Sequence, residues 1–396
     1  MSTRSNTLLI DRRFSPIVLS HFIIDLMNVQ TPILLTFLSG SLGLTNGLLG
    51  LFNSIFQLTG SLSQPIFGYL TDRIGVRRMV VSSVLWMGSF FTLALVVPGW
   101  PALIFLIISA LGSGAFHPAG ASQATTVGRN LMAGRETTSA SIFFTFGQLG
   151  YFIGPLIGGI LLTTWSKSGL LILSVLALIT SGIDVWQFQV DVLPVSVIKG
   201  SAAKLSNNFK QIGWLGLTAL IVVAAFQSWI FQTVLAFLPK YLSDLGEPAS
   251  IYGLIAAFFM GGTTFGNLLG GNLADRVGKR WVVIFGMGLS TLPLFLIPQT
   301  AASSLLMYPL VFLAGLFNGT VNSISIVLAQ KLIPGGLGLA SGLAMGFIFS
   351  AGGIGILASG ALADRLGLIS VFYLCTILAV TGAIMGIFLV DREYQQ

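Results

Sequence analysis

Gly68-Tyr-Leu-Thr-Asp72-Arg73-Ile-Gly75 is followed by Gly271-Asn-Leu-Ala-Asp275-Arg276-Val-Gly278 and by Gly360-Ala-Leu-Ala-Asp364-Arg365-Leu-Gly367. The first two copies start 203 residues apart and the last two 89, which reads as two halves, each split into two quarters. A fourth copy is then due near position 158, where Gly158-Gly159-Ile-Leu-Leu keeps the glycines and lacks the charges. Nested repeats of this kind mark membrane proteins assembled from three-helix units.

Composition puts the chain in a bilayer. Only 8% of its 396 residues are charged and 54% are hydrophobic, with a mean hydropathy of +0.92, values that no water-soluble domain of this length carries. One cysteine, Cys375, excludes a disulfide framework or a thiolate metal site, and two histidines argue against His-rich metal chemistry, so neither metal nor cofactor is expected. Arg4, Arg12 and Arg13 precede an apolar run too long for a signal-peptide core and without a small-residue cleavage site, so it reads as an uncleaved first span.

Twelve apolar stretches fall near 16–39, 46–70, 79–97, 101–126, 137–162 and 168–190, then 214–240, 250–274, 281–299, 303–329, 338–363 and 369–390. Each is long enough for a ~30 Å hydrocarbon core at ~1.5 Å per residue. With both termini on one side, 16 of the 19 basic residues share that side, and only Lys167, Lys240 and Arg365 fall opposite. That asymmetry predicts cytoplasmic termini in a cell inner membrane. It also accounts for the net charge of +7 through basic loops facing anionic lipid, so nucleic acid is not an expected partner. The polar stretch 191–213, with Lys199, Lys204, Lys210, Ser206 and Asn207, links an N-terminal six-helix bundle, 1–190, to a C-terminal one, 214–396. Asp72 and Asp275 then lie in cytoplasmic loops and Asp364 in an external one, as inverted repeats require.

On these motifs the chain resembles the major facilitator superfamily over nearly its whole length. The resemblance implies an all-α integral membrane fold of twelve transmembrane helices, in two six-helix bundles of two inverted three-helix repeats each. Gly68, Asp72, Arg73, Gly75, Arg77 and Arg78 resemble the superfamily's loop signature between spans 2 and 3, and Gly271, Asp275, Arg276, Gly278 and Arg280 its counterpart between spans 8 and 9. A cytoplasmic latch that stabilises the outward-facing state is the implied role; plain positive-inside charge is the simpler alternative. In span 5, Gly147-x-x-Gly150-x-x-x-Gly154-Pro155-x-x-Gly158-Gly159 resembles the motif of the superfamily's drug/proton antiporters and suggests export. Glycines at this spacing make a groove on one helix face, and they also serve ordinary packing. His21-Phe22-Ile-Ile-Asp25-Leu26-Met27 and Gly114-Ala-Phe116-His117-Pro118 resemble the fosmidomycin-resistance branch of exporters. Ile108 stands where many drug exporters carry a buried arginine, so proton coupling cannot use that residue here.

Asp25 lies about nine residues into span 1, close to the bilayer midplane at ~1.5 Å per residue. Placing a carboxylate there costs on the order of 2.5–3.5 kcal/mol, so it should face a cavity. A carboxyl alternating between protonated and ionised forms is what coupling to protons needs. His21 stands one turn earlier on the same face. Counting down span 4 brings His117 to a similar depth, and by resemblance spans 1, 4, 7 and 10 line the central cavity. Together these three form a candidate proton path, with the alternatives that His117 hydrogen-bonds a carbonyl freed by Pro118 and that His21 is structural.

The 203-residue offset maps Asp25 onto Ser228 in span 7, beside Gln227, Trp229, Gln232 and Thr233, and maps His117 onto Thr320, between Asn318 and Asn322 in span 10. The second half is polar and uncharged there, which assigns protons to the first half and much of substrate contact to the second. Asn28 and Gln30 continue span 1 outward as further candidate substrate contacts, and Pro32 is a candidate kink. Phe22, Phe143, Phe144, Phe146 and Trp229 could form an apolar wall, although each also suits packing or lipid. Asp184, late in span 6, reads as interfacial.

No Lys or Arg falls within the core of a span, which argues for a neutral or cationic, partly lipophilic cargo and against literal transfer of the phosphonate antibiotic that names the resembled branch. The reading is a monomeric, proton-coupled antiporter of the drug-resistance efflux type, working by alternating access; the alternative is a proton symporter importing a small metabolite on the same fold. No Ser/His/Asp constellation or phosphate-binding loop points to an enzyme.

Overall fold

Where each repeated motif ends, the chain turns from one helix into the next. Gly75, Gly278 and Gly367 have φ of 89°, 93° and 82°, a backbone region open to glycine and closed to most other residues. The computed structural model describes residues 11–131, 136–188, 202–332 and 337–389, with side chains at 11–130, 138–188, 213–329 and 343–389. Arg4, the linker residues 191–201, and the side chains of Lys204, Ser206, Asn207, Lys210, Arg135 and Lys331 lie outside the described residues.

Among the described residues every regular element is helical. They are α1 (Ser15–Asn28), α2 (Gln30–Leu42), α3 (Asn46–Ile74), α4 (Val76–Val96), α5 (Pro101–Leu131), α6 (Glu136–Gly169), α7 (Leu171–Gln187), α8 (Ala202–Asp244), α9 (Ala249–Val277), α10 (Lys279–Leu296), a 3₁₀ turn at Ile297–Gln299, α11 (Met307–Leu332), α12 (Leu337–Leu366) and α13 (Leu368–Gly386). Since α1 and α2 together form the first span, Ser15–Leu42, these are the twelve expected membrane helices. Ten spans are long and apolar enough to cross a bilayer. α7 is apolar with 17 residues, and α3 has 29 but carries Asn53, Gln57, Ser61, Ser63 and Gln64.

The first span breaks between Asn28 and Gln30. Pro32 has no N–H for the Asn28 carbonyl four residues back, so the ladder lapses there. The Val29 N–H closes α1 on the Asp25 carbonyl at 3.2 Å. α6 is interrupted at Ser166, whose φ of 56° and ψ of −159° lie where glycine is strongly favoured. This bend stands beside position 165, where the last glycine of the fourth motif copy is due. The polar stretch before α8 is helical from Ala202, and Gly213, at φ 68°, bends the backbone ahead of the apolar part.

The chain groups into two compact units, Met1–Phe37 with Ile55–Ser196, and Leu38–Ser54 with Val197–Gln396. In the first unit α1 lies along α6, and α5 packs on α4. In the second, α9 and α11 cross so closely that a methyl at Gly262, Gly266 or Gly270 would overlap the backbone of α11. Such contacts, without side chains between backbones, hold helices together where lipid offers no hydrophobic drive. At the tip that joins the second unit, Thr45 Oγ1 donates to Asp364 Oδ2 at 2.9 Å.

Candidate functional site

Glycines of α6 seat α1. Gly147, Gly150, Gly154 and Gly158 recur along one face of α6, and a methyl on any of them would overlap an atom of the first span: His21 Nε2 and Asp25 Oδ2 at Gly147, the Phe22 carbonyl at Gly150, Val29 at Gly154 and Gln30 Oε1 at Gly158. The groove expected from their spacing is therefore present, and its occupant is the segment that bears Asp25. Gln30, fully buried, pins this contact by donating from Nε2 to the Gly154 carbonyl at 2.9 Å and the Leu26 carbonyl at 2.8 Å.

In that seat Asp25 meets both histidines of the chain. His21 Nε2 lies 3.1 Å from Asp25 Oδ2, and His117 Nε2, from α5, lies 3.4 Å from Oδ1. Asn28 Nδ2 donates to Asp25 Oδ1 at 3.0 Å and to Ser113 Oγ at 2.8 Å. The side chains of Asp25 and His21 are 6% and 2% exposed, whereas that of His117 is 22% exposed, so the cluster is closed on the α1 side and open at His117.

The other ring nitrogens fix the tautomers. His21 Nδ1 is 2.8 Å from the Phe143 carbonyl and His117 Nδ1 is 2.8 Å from the Ser113 carbonyl. A backbone carbonyl only accepts, so each Nδ1 carries the hydrogen and each Nε2 faces the carboxylate. Without added charge, two imidazole lone pairs and a carboxylate would confront one another in a buried site, which is unfavourable. The arrangement is stable when protons, or another cation, bridge these acceptors. Because the His117 bond reaches the Ser113 carbonyl while its Nε2 faces Asp25, the carbonyl contact orients the ring for the carboxylate. Phe143 stacks on His21 at a centroid separation of 4.0 Å and 25°, and Phe144 meets its edge at 5.9 Å.

The second unit has an uncharged counterpart. Gln227 Nε2 donates to Asn318 Oδ1 at 3.1 Å, and Asn318 Nδ2 returns to the Gln227 carbonyl at 3.3 Å. Trp229 Nε1 donates to Ser359 Oγ at 2.9 Å, which also lies 3.1 Å from Thr233 Oγ1. Gly352 and Gly355 of α12 press on Ser228, Gln232 and Trp229 as the α6 glycines press on α1. Gln227, Ser228, Gln232 and Asn318 are buried, and Trp229 and Asn322 are half-buried, as are Phe22 and Phe146 in the first unit. Phe143 is fully buried and backs His21, so it packs the cluster and is not part of a wall.

Asp72, Arg73, Arg78, Asp275 and Arg276 are exposed. Arg73 lies over the Tyr69 ring at 4.6 Å, Arg280 over Trp281 at 5.9 Å, and Arg77 Nη2 donates to the Val185 carbonyl within the first unit. Asp184 corrects the expectation of an interfacial residue. It is fully buried, accepts a hydrogen bond from Ser20 Oγ at 2.6 Å through Oδ2, and its Oδ1 has no hydrogen-bond partner among the described residues. Ser20 precedes His21, so its distant pairing with α7 gives no periodic signal. Ser113, the other residue missed, stands four before His117 on α5, a spacing that does mark a shared face.

The family model for the Major Facilitator Superfamily matches residues 17–251 and again 217–396. The chain is similar to the fosmidomycin resistance protein of Escherichia coli (strain K12), 26% identical over 385 residues that cover 96% of this chain and 93% of the relative. It is also similar to macrolide efflux protein A of Streptococcus pyogenes, 25% identical over 358 residues covering 84% and 85%. Among solved structures, a bacterial homologue of the human lysosomal transporter Spinster superposes with a TM-score of 0.77 at 14% identity, covering 94% of this chain and 96% of the other. That likeness supports the fold.

Proposed function

Since the chain belongs to the Major Facilitator Superfamily, and is thus a multi-pass membrane transporter of small molecules and not an enzyme, we propose that it couples export of its substrate to proton entry through Asp25, His21 and His117. The observation that carries this reading is the approach of both Nε2 atoms to one buried carboxylate, at 3.1 and 3.4 Å. Three acceptors in one enclosed place bind protons when loaded and repel one another when stripped, and that difference is what a coupled cycle of alternating access uses. One proton moving down 100 mV supplies about 2.3 kcal/mol, enough to bias a two-state cycle.

The cargo proposed is a neutral or cationic, partly lipophilic compound. Its contacts include the amides of Gln227, Asn318 and Asn322 and the half-buried rings of Phe22, Phe146 and Trp229. The names of the two relatives, fosmidomycin resistance protein and macrolide efflux protein A, support export, as does the glycine seat of α6. Asp72, Arg73, Arg77, Arg78, Asp275, Arg276 and Arg280, on the helix ends that flank Gly75 and Gly278, are proposed to act as a cytoplasmic latch, with both termini on that side.

Purified protein in liposomes, with a pH gradient imposed in either direction, tests the reading. Substrate-dependent proton movement should be present in the wild type and absent in Asp25→Asn. Normal proton exchange by that variant would remove Asp25 from the coupling role. Transport favoured by a proton gradient in the same direction as substrate would replace export with symport.

A further inference from the structure

The sequence offered too few histidines and cysteines for a metal site built from those residues alone. The fold changes the donor count, because it gathers both histidines and Asp25 until one ligand atom from each lies within 4.8 Å of the others. Two imidazoles and a carboxylate are a complete protein donor set for a divalent first-row ion that keeps a further position for water.

Several details match such a site. Each Nδ1–H is held by a carbonyl at 2.8 Å, the outer contact that fixes a ligating histidine's tautomer and ring plane and leaves Nε2 free for metal. An ion held at ~2.1 Å from both atoms of each His–Asp pair, which are 3.1 and 3.4 Å apart, would subtend angles of roughly 95 and 108°, within the octahedral to tetrahedral range. The ligand atoms lie within 4.8 Å of one another, so the two imidazoles draw together by up to ~1.4 Å to share one ion at that bond length and a tetrahedral angle. Gly147 packs against His21 Nε2 and Asp25 Oδ2 where any side chain would overlap them, so no side chain competes for the pair, and the 22% exposure of the His117 side chain leaves a way in. Asn28, which donates to Oδ1 at 3.0 Å, positions the carboxylate.

We propose that His21, Asp25 and His117 bind one divalent first-row metal ion, Zn²⁺ in preference to Mg²⁺ or Ca²⁺, and that the bound ion occupies the place of the transported proton and arrests exchange. The binding half stands without the transport reading; the arrest rests on it.

The test uses tag-free, chelator-washed protein in detergent. Co²⁺ titration should produce visible d–d absorption of a site of low coordination number, saturating at one ion per chain and displaced by Zn²⁺ but not by a hundredfold excess of Mg²⁺. His21→Gln and His117→Gln should each weaken Zn²⁺ binding at least tenfold while keeping the metal-free melting profile. Should either variant fail to fold, zinc-edge X-ray absorption of the wild type decides, with two imidazoles and oxygen donors at ~2.0–2.1 Å expected. No stoichiometric ion, an imidazole-free spectrum, or unchanged affinity in both folded variants overturns the site. Zn²⁺ added to proteoliposomes should also abolish proton exchange; binding without that effect overturns the shared place and leaves the ion site standing. Normal coupling in Asp25→Asn, with Zn²⁺ bound by the wild type, would instead remove the transport reading and leave the ion site standing.

Discussion

Asp25 and Ser228 stand 203 residues apart at matching places in two repeats, yet their surroundings solve different problems. Around Asp25 the first unit sets a carboxylate between two imidazoles, and around Ser228 the second unit pairs the amides of Gln227 and Asn318 at 3.1 Å. In both, glycines of a neighbouring helix let the polar helix approach closely. Duplication therefore supplied one seat twice, while the residues in it diverged into a set that holds charge and a set that only donates and accepts hydrogen bonds. A buried neutral pair needs no counter-ion, and a buried acid does.

The largest effect should come from moving the acid. Asp25→Ser combined with Ser228→Asp should leave substrate-driven proton flux at background in liposomes, because Thr320 occupies the place of His117 and offers no imidazole. Recovery of flux in the double variant would show that the carboxylate alone suffices and would break the contrast.

Next in size is the seat itself. A methyl at Gly150 meets the backbone of Phe22 and Leu26, whereas one at Gly352 meets mainly the side chains of Ser228 and Gln232. Gly150→Ala should cost about 1–3 kcal/mol, and Gly352→Ala less, because side-chain ends can yield. Thermal melting in detergent compares the two, and equal costs would mean the seats are equally rigid.

Asn318→Ala leaves the buried Gln227 Nε2 without its acceptor, a cost of about 1–3 kcal/mol. Substrate KM should change several-fold while the number of protons moved per substrate stays constant, as measured in parallel flux assays. A changed proton ratio would place coupling in both units.

The smallest effect concerns Ser166. Glycine at this bend removes the strain of φ 56° at the expense of a more flexible unfolded chain, so Ser166→Gly should raise stability by about 0.5–1 kcal/mol, with Gly278→Ser lowering it comparably. Chemical unfolding of the two variants reads both signs.

The membrane helices were legible because hydropathy acts over whole spans and because Gly75, Gly278 and Gly367 punctuate the turns. Asp25 and His21 share a face by helical spacing alone. Their meeting with His117 was anticipated from depth and family likeness, but which nitrogen faces the acid depends on the Phe143 and Ser113 carbonyls, and no periodicity reports such bonds. Asp184 escaped for a related reason: its position late in α7 indicated a boundary, while its burial depends on Ser20 in another helix. Ser166 shows the converse, since a bend recurs beside the place of the motif's last glycine although the glycine itself is absent.

Both Nδ1–H groups end on backbone carbonyls, and that detail constrains traffic. A histidine conducts when it takes a proton on one nitrogen and releases another from the opposite one; a carbonyl cannot receive the released proton. Neither His21 nor His117 can then serve as a through-passage while its ring stays as it is. Under the proposed coupling, a proton that loads the cluster leaves by the face it came in on, and the cluster works as a dead-end chamber that alternating access turns from one side of the bilayer to the other. The placement of two carbonyl oxygens thereby closes the relay of protons straight through either ring.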